Sequence, residues 1–243
     1  MFERPGRIML GVGLMLLGLV LAASAIWLGF EWAPTVDLED MNDPYAQRIF
    51  YWHVSVAWSS FVAFAMLFVG SLAWFWKRLE WGWRLHACAA ELGLLYGLMV
   101  ITSGPIWAQA EWGTPWDWTD VRLNSYALLT SVSIFLVLSR RAQPDGVETR
   151  DSLSAIGLFG FALVPLTFIS TRIWQIRHPG PVIATEGGMT IEVEMLIVLL
   201  IAFIGFTFFL IGQLTLLWDL HSKEERMEVI AAKLDRRVTS TTN

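Results

Sequence analysis

Six apolar runs punctuate this chain, and they decide what it can be. A helix of roughly 20 apolar residues matches the ~30 Å hydrocarbon core of a bilayer, and the runs, at about 8–30, 44–76, 86–107, 123–139, 153–171 and 191–218, are of that order. In lipid every backbone N–H and C=O must be satisfied within the protein, which a helix achieves within one segment. The sequence therefore predicts an all-α, polytopic membrane protein with six transmembrane helices. They form one domain over residues 1–218, followed by a charged tail, 219–243, that reads as helical. The 55% hydrophobic content fits, because a soluble domain of this size needs more charge than the 16% found here.

Local signals sharpen the outline. Arg4 and Arg7 precede the first run. Ala23-Ser24-Ala25 resembles a signal-peptide cleavage site, yet the run continues through Ile26, Trp27 and Leu28 and exceeds the usual apolar core of such a peptide, so a retained helix is expected. Asp43-Pro44 supplies a cap and a proline for the start of the second helix, and Pro165 is expected to kink or relax the fifth. Gly93 and Gly97 in the third run have the spacing that admits a neighbouring helix closely. Glu91 in the same run is a costly intramembrane charge, either functional or shallow enough to reach the boundary. The lone cysteine, Cys88, excludes an internal disulfide and a paired thiol motif. No basic stripe follows a nucleic-acid backbone, so nucleic acid is not an expected partner; the lipid bilayer is.

Orientation follows from the basic residues. Thirteen of the 17 Lys and Arg fall in the N-terminus, the Lys77 loop, the Arg140 loop and the tail; the other set holds Arg48, Arg122, Arg172 and Arg177. The positive-inside rule then places both termini in the cytoplasm. The segment 107–125 lies on the outer face, with the loops around Arg48 and Arg172.

That outer segment, WAQAEWGTPWDWTDVRLNS, is too polar to cross and carries Trp107, Trp112, Trp116 and Trp118. Indole prefers the membrane–water boundary, so one tryptophan there reads as an anchor, whereas four together make a platform for a flat conjugated ligand. Asp117, Asp120 and Arg122 can position the polar edge of such a ligand. Of the four histidines, His86 and His221 fall at cytoplasmic ends, while His53 and His178 share the outer face with the tryptophans. Taken singly, each outer histidine reads as an interfacial polar residue. Together they can clamp a heme iron from both sides, with outer arginines, Arg48 and Arg122 among them, pairing with the propionates.

Three stretches carry a family resemblance that spans about 48–218. RIFYWHVSVAW, Arg48 to Trp58, resembles the segment around the first heme-ligand histidine of the CcmC family. WGTPWDWTDVRLNS, Trp112 to Ser125, resembles that family's tryptophan-rich WWD motif. Trp174 followed by His178 and Gly180 resembles its second ligand segment. Ser55 stands where the family carries a proline, Pro115 where a tryptophan is common, and Thr119 separates Trp118 from Asp120, so either Asp117 or Asp120 fills the acidic position. The resemblance implies a multi-pass protein of the inner (plasma) membrane that binds b-type heme non-covalently and transiently on the periplasmic, extracytoplasmic face. His53 and His178 would be its axial ligands. It further implies delivery of heme to a membrane-anchored chaperone of the CcmE type, for cytochrome c maturation, in company with ABC transporter subunits.

Rival readings are a permease subunit of an ABC heme exporter, a heme-containing membrane electron carrier, and a plain helical scaffold. The chain has no Walker A loop and so cannot itself hydrolyse ATP. Two histidines buried mid-membrane would be expected of an electron carrier, whereas these lie at the rim. The reading adopted is heme handling without catalysis. The topology has a direct test: a reporter fused after Asn243 should be fluorescent as a green fluorescent protein fusion and inactive as an alkaline phosphatase fusion. Phosphatase activity would sink the six-span arrangement.

Overall fold

The computed structural model describes residues 5–36, 41–173 and 191–241. They contain α1 (Pro5–Glu31), a 3-10 turn (Ala46–Arg48), α2 (Ile49–Lys77), α3 (Glu80–Trp112), α4 (Val121–Ala142), α5 (Val147–Phe161), α6 (Leu163–Ile173) and α7 (Val193–Thr241), and no strand. Six segments are long and apolar enough to cross a membrane, with α5 and α6 making one crossing between them. Successive crossings alternate between an end that carries the tryptophan segment and a basic end.

The helix boundaries have local causes. Asp43 accepts hydrogen bonds from the backbone N–H groups of Tyr45 (3.0 Å) and Ala46 (3.3 Å), the capping its position before Pro44 predicts. Between α2 and α3 only Arg78 and Leu79 lie outside the helices, a tighter turn than the 77–84 loop expected. Arg78 takes a left-handed conformation (φ 53°) and ends α2 with its N–H on the Trp74 carbonyl. That strain is offset by its ion pair with Asp151 and its position over the Trp74 ring. At its other end α3 continues to Trp112, five residues past the expected limit. Gly113, at φ 71°, is the first residue to turn the chain away. The fifth crossing breaks at Ala162 rather than at Pro165 itself, because a proline ring collides with the carbonyl four residues earlier, here Phe161.

Packing rests on small residues. A Cβ on Gly18 would lie 2.4 Å from the Phe209 backbone nitrogen, and one on Gly212 would lie 2.5 Å from that of Met15, so α1 and α7 touch backbone to backbone. Gly97 admits Thr130, and Gly93 admits Phe64 and Ser133, so the anticipated close approach in α3 is made to α4 and α2. Around these contacts lie three apolar clusters: Phe64, Leu67, Trp74 and Trp83 toward α4 and α5; Val56, Tyr96, Tyr126 and Phe206 in the middle; and Ala25, Tyr51, Val198 and Ala202 between α1, α2 and α7. Large apolar side chains such as Leu10, Leu17, Leu128, Phe159 and Ile204 point outward, as a lipid-facing surface requires.

The basic end is fastened by ion pairs. Glu91 of α3 is neither isolated nor merely snorkelling: it lies 3.4 Å from Arg140 of α4 and 3.4 Å from His221 of α7, whose other ring nitrogen is 2.8 Å from Glu224. Arg84 pairs with Glu225 and covers the Trp218 ring. In the 143–146 connection, the hydrogen bond from Arg150 holds the Asp145 carboxyl below its ordinary range. The sixth crossing is not followed by a separate tail helix: α7 runs unbroken for 49 residues, about 73 Å at 1.5 Å per residue. That is more than twice the bilayer core.

The α1–α7 contact predicts a contrast between two glycines of one helix. Gly13→Ala meets nothing within 4 Å and should be neutral or slightly stabilising, as alanine favours a helix. Gly18→Ala must push the helices apart and should cost about 1 to 3 kcal/mol. Thermal denaturation of the purified chain in detergent reads both, and equal midpoints for the two variants would refute the backbone contact.

Candidate functional site

At the tryptophan end the chain uses short polar side chains to hold connecting segments in place. Glu111, near the end of α3, accepts through its two carboxylate oxygens from the backbone N–H groups of Asn42 and Asp43, each at 3.2 Å, and the Asn42 side chain donates to the Glu111 carbonyl at 2.9 Å. Because Asp43 caps the turn that leads into α2, this strap fixes where α2 begins. His53 is the fifth residue of α2 and thus lies near the same end.

The imidazole of His53 rests on α3 at the sequence Thr102-Ser103-Gly104-Pro105. Its Nδ1 is 2.8 Å from the Ser103 hydroxyl, and a Cβ on Gly104 would come within 3.3 Å of its Cε1. Ser103 and Gly104 form the notch that meets the ring. Pro105 removes a backbone donor within the helix, and the Thr102 and Ser103 hydroxyls donate back to the carbonyls of Leu98 (2.8 Å) and Met99 (2.7 Å). Gly104 leaves the space that the ring fills. His53 itself is half-buried, and the Arg122 guanidinium is close enough for the two groups to interact electrostatically.

Arg122 lies in the first turn of α4, paired with Asp120 at 3.4 Å. Asp120 is 9% exposed and caps α4, its carboxylate accepting from the Leu123 N–H at 2.8 Å. Asp117 is exposed and holds the turn ahead of it, accepting from the N–H (2.8 Å) and hydroxyl (2.7 Å) of Thr119. The two carboxylates thus have different work. Asp120 joins the segment to α4 and orients Arg122, whereas Asp117 shapes the exposed turn. Asn124 ties the segment from beneath, donating to the carbonyls of Trp118 (3.0 Å) and Asp120 (2.7 Å).

The tryptophans form two pairs. Trp107 and Trp112 meet edge to face at 4.9 Å on the last turns of α3, and Trp116 and Trp118 are tilted at 5.7 Å in the connection that follows. Trp118 is 83% exposed, while the Trp116 ring nitrogen is buried and has no hydrogen-bond acceptor among the described residues. A buried indole N–H without an acceptor is costly in a folded protein.

Not every predicted site residue joins this group. Arg48, which ends the 3-10 turn, lies over the rings of Phe30 and Tyr45, each at 5.0 Å, on the side of α2 that faces α1. His178 and Trp174 lie outside the described residues. The two remaining histidines are at the basic end. His86 is buried, stacked on Trp83 at 4.8 Å and bonded to Ser71 at 2.8 Å, and His221 belongs to the ion-pair network. Sequence reasoning missed Ser103, Gly104, Glu111 and Asn124. A signal existed for the first two, since serine, glycine and proline in succession within an apolar run mark a local opening. Glu111 carried none, because its partners lie nearly 70 positions away.

At one end of the bundle the described residues offer an imidazole on a rigid helix, an exposed aromatic surface and a guanidinium held by a carboxylate. The chemistry of this donor set fits a metalloporphyrin, for which His53 would supply an imidazole nitrogen.

Comparison with known proteins bears on the same conclusion. The family profile described as heme exporter protein C, CcmC, matches residues 5–233. The chain is 30% identical over 193 residues to a putative cytochrome c biosynthesis ccmC-like mitochondrial protein of Marchantia polymorpha, covering 79% of this chain and 78% of that one. It is 27% identical over 206 residues to heme exporter protein C of Bradyrhizobium diazoefficiens, covering 83% and 72%. To heme exporter protein C of Paracoccus denitrificans it is 25% identical over 241 residues, covering 97% and 98%. With the family profile matched over nearly all its length, and with six helices able to span a membrane, the chain belongs to the CcmC, heme exporter protein C, family.

Proposed function

We propose that this chain holds heme at the extracytoplasmic face of the inner membrane and passes it to a membrane-anchored chaperone of the CcmE type. The names of its relatives, heme exporter protein C and cytochrome c biosynthesis proteins, support heme as the cargo. The observation that carries the reading is His53 in the α3 notch, at the same end of the bundle as the Trp116–Trp118 pair, with Arg122 beside it.

In this reading His53 is one axial ligand and His178 the other. Trp112, Trp116 and Trp118 supply the platform, with Trp174 from the second ligand segment, and Arg122 meets a propionate, while Arg48, turned toward Phe30 and Tyr45, takes no part. Asp120 orients Arg122 and the start of α4, and Asp117 presents the exposed turn toward the chaperone. The iron contributes its affinity for imidazole; every other contact comes from the chain. Non-covalent, b-type binding suits a donor, which must give the heme up. The positive-inside rule supports the orientation, with both termini in the cytoplasm, and there the long α7 is available to the ABC transporter subunits. The role requires no catalytic residue in this chain.

Two measurements test the reading. Replacing Trp116 and Trp118 together by alanine should lower heme retention while the helices stay folded, since stacking on an aromatic is worth about 1 to 3 kcal/mol per ring. Normal heme content at normal expression would reduce these residues to a boundary belt. The four single His→Ala variants test the ligands: the native chain should give a low-spin spectrum, and His53→Ala and His178→Ala should each turn it high-spin or lose the heme. The remaining two, His86→Ala and His221→Ala, should leave the spectrum of whatever heme is bound unchanged. Equal effects at all four positions would defeat the site.

A further inference from the structure

The Ser103 hydroxyl has one hydrogen and three neighbours that could use it: the Met99 carbonyl at 2.7 Å, the Val100 carbonyl at 3.4 Å and the His53 Nδ1 at 2.8 Å. The carbonyl oxygens can only accept. The imidazole nitrogen either accepts or donates, according to tautomer. If the serine hydrogen points to Met99, its shortest contact, the oxygen lone pairs face Nδ1, which must then carry the proton. A neutral imidazole protonated on Nδ1 has its free lone pair on Nε2.

We infer that Ser103 is the positioning residue for His53: it accepts a hydrogen bond from Nδ1–H, fixes the tautomer, and so directs Nε2 as the iron-binding nitrogen. This inference rests on the proposed role of His53 as a heme ligand and says how the chain prepares it. One further feature agrees. Gly104 passes close to Cε1, the atom between the two nitrogens, and a side chain there would press on the ring at 3.3 Å, so glycine at this position leaves room for the imidazole against Ser103.

The physical consequence concerns electron donation. A metal-bound histidine whose second nitrogen donates to an oxygen is a more basic ligand, and removing such a partner typically costs about ten- to hundred-fold in metal affinity. A more basic imidazole favours Fe(III) over Fe(II). Losing the Ser103 contact should therefore weaken heme retention and move the midpoint potential upward, with His53 still ligated. A serine that served only to satisfy the Met99 carbonyl would alter neither, because that carbonyl keeps its ordinary position in the helix.

The experiment uses the full-length chain purified in detergent and titrated with hemin. Heme retention, spin state and the Fe(III)/Fe(II) midpoint potential are recorded for the native protein, His53→Ala, Ser103→Ala and Ser103→Thr. The expected result is that Ser103→Ala loses retention about ten- to hundred-fold and raises the potential without becoming the spectrum of His53→Ala, and that Ser103→Thr, which keeps the hydroxyl, restores both. If His53→Ala alters the heme spectrum but Ser103→Ala matches the native chain in retention and potential, the positioning role is overturned and the ligand stands. If His53→Ala leaves the spectrum unchanged, the ligand assignment fails, and the role of Ser103 fails with it.

Discussion

Helices in lipid gain little from hiding apolar side chains against one another, since the surrounding tails are equally apolar; what holds them is close contact and satisfied polar groups. The bundle depends on that constraint. Gly18 and Gly212 let α1 and α7 approach until a single Cβ would strike backbone, and Gly93 and Gly97 of α3 make room for the side chains of Phe64, Ser133 and Thr130. The apolar clusters fill the space those contacts define. Their large members, Tyr51, Tyr96 and Phe64, are almost fully buried because the small residues opposite leave room for them.

The same constraint governs the polar groups. Hydroxyls within the spans donate back to their own helix or across to a neighbour, as Thr130 does to the Tyr126 carbonyl, Ser125 with Thr167, and Ser60 with Tyr126. A buried hydroxyl of this kind is usually spent on the fold. Ser103 lies against the His53 imidazole as well as a carbonyl, as Ser71 lies against His86 at the basic end, and such a contact can orient an imidazole.

The two ends of the bundle are built on different chemistry. At the basic end, charges of both signs interlock between the Arg78 turn, α3, α4, α5 and α7. At the tryptophan end the polar contacts are mostly short and local, a cap, a turn and a strap. They leave Trp118 exposed and the Trp116 N–H without an acceptor among the described residues. One end fixes the helices, and the other, among the described residues, presents an aromatic surface whose supporting turns are set by short polar contacts.

The sequence by itself determined the class of fold, the number of crossings and the family. Hydrophobic length, caps such as Asp43 and breakers such as Pro165 act within one segment and can be read along the chain. Family membership was legible in RIFYWHVSVAW and WGTPWDWTDVRLNS for the same reason, since each motif is continuous. The tertiary structure alone decided which side chains meet. It gave Asp117 and Asp120 different contacts, one in a turn and the other at the cap of α4. It turned Arg48 toward Phe30 and Tyr45, joined Glu91 to His221 across 130 positions, and set His53 against Ser103 and Gly104, fifty residues on. Such pairings depend on the rotation of each helix about its axis. That rotation is fixed by where glycine lets two backbones touch, and periodicity in a single strand of sequence does not contain it.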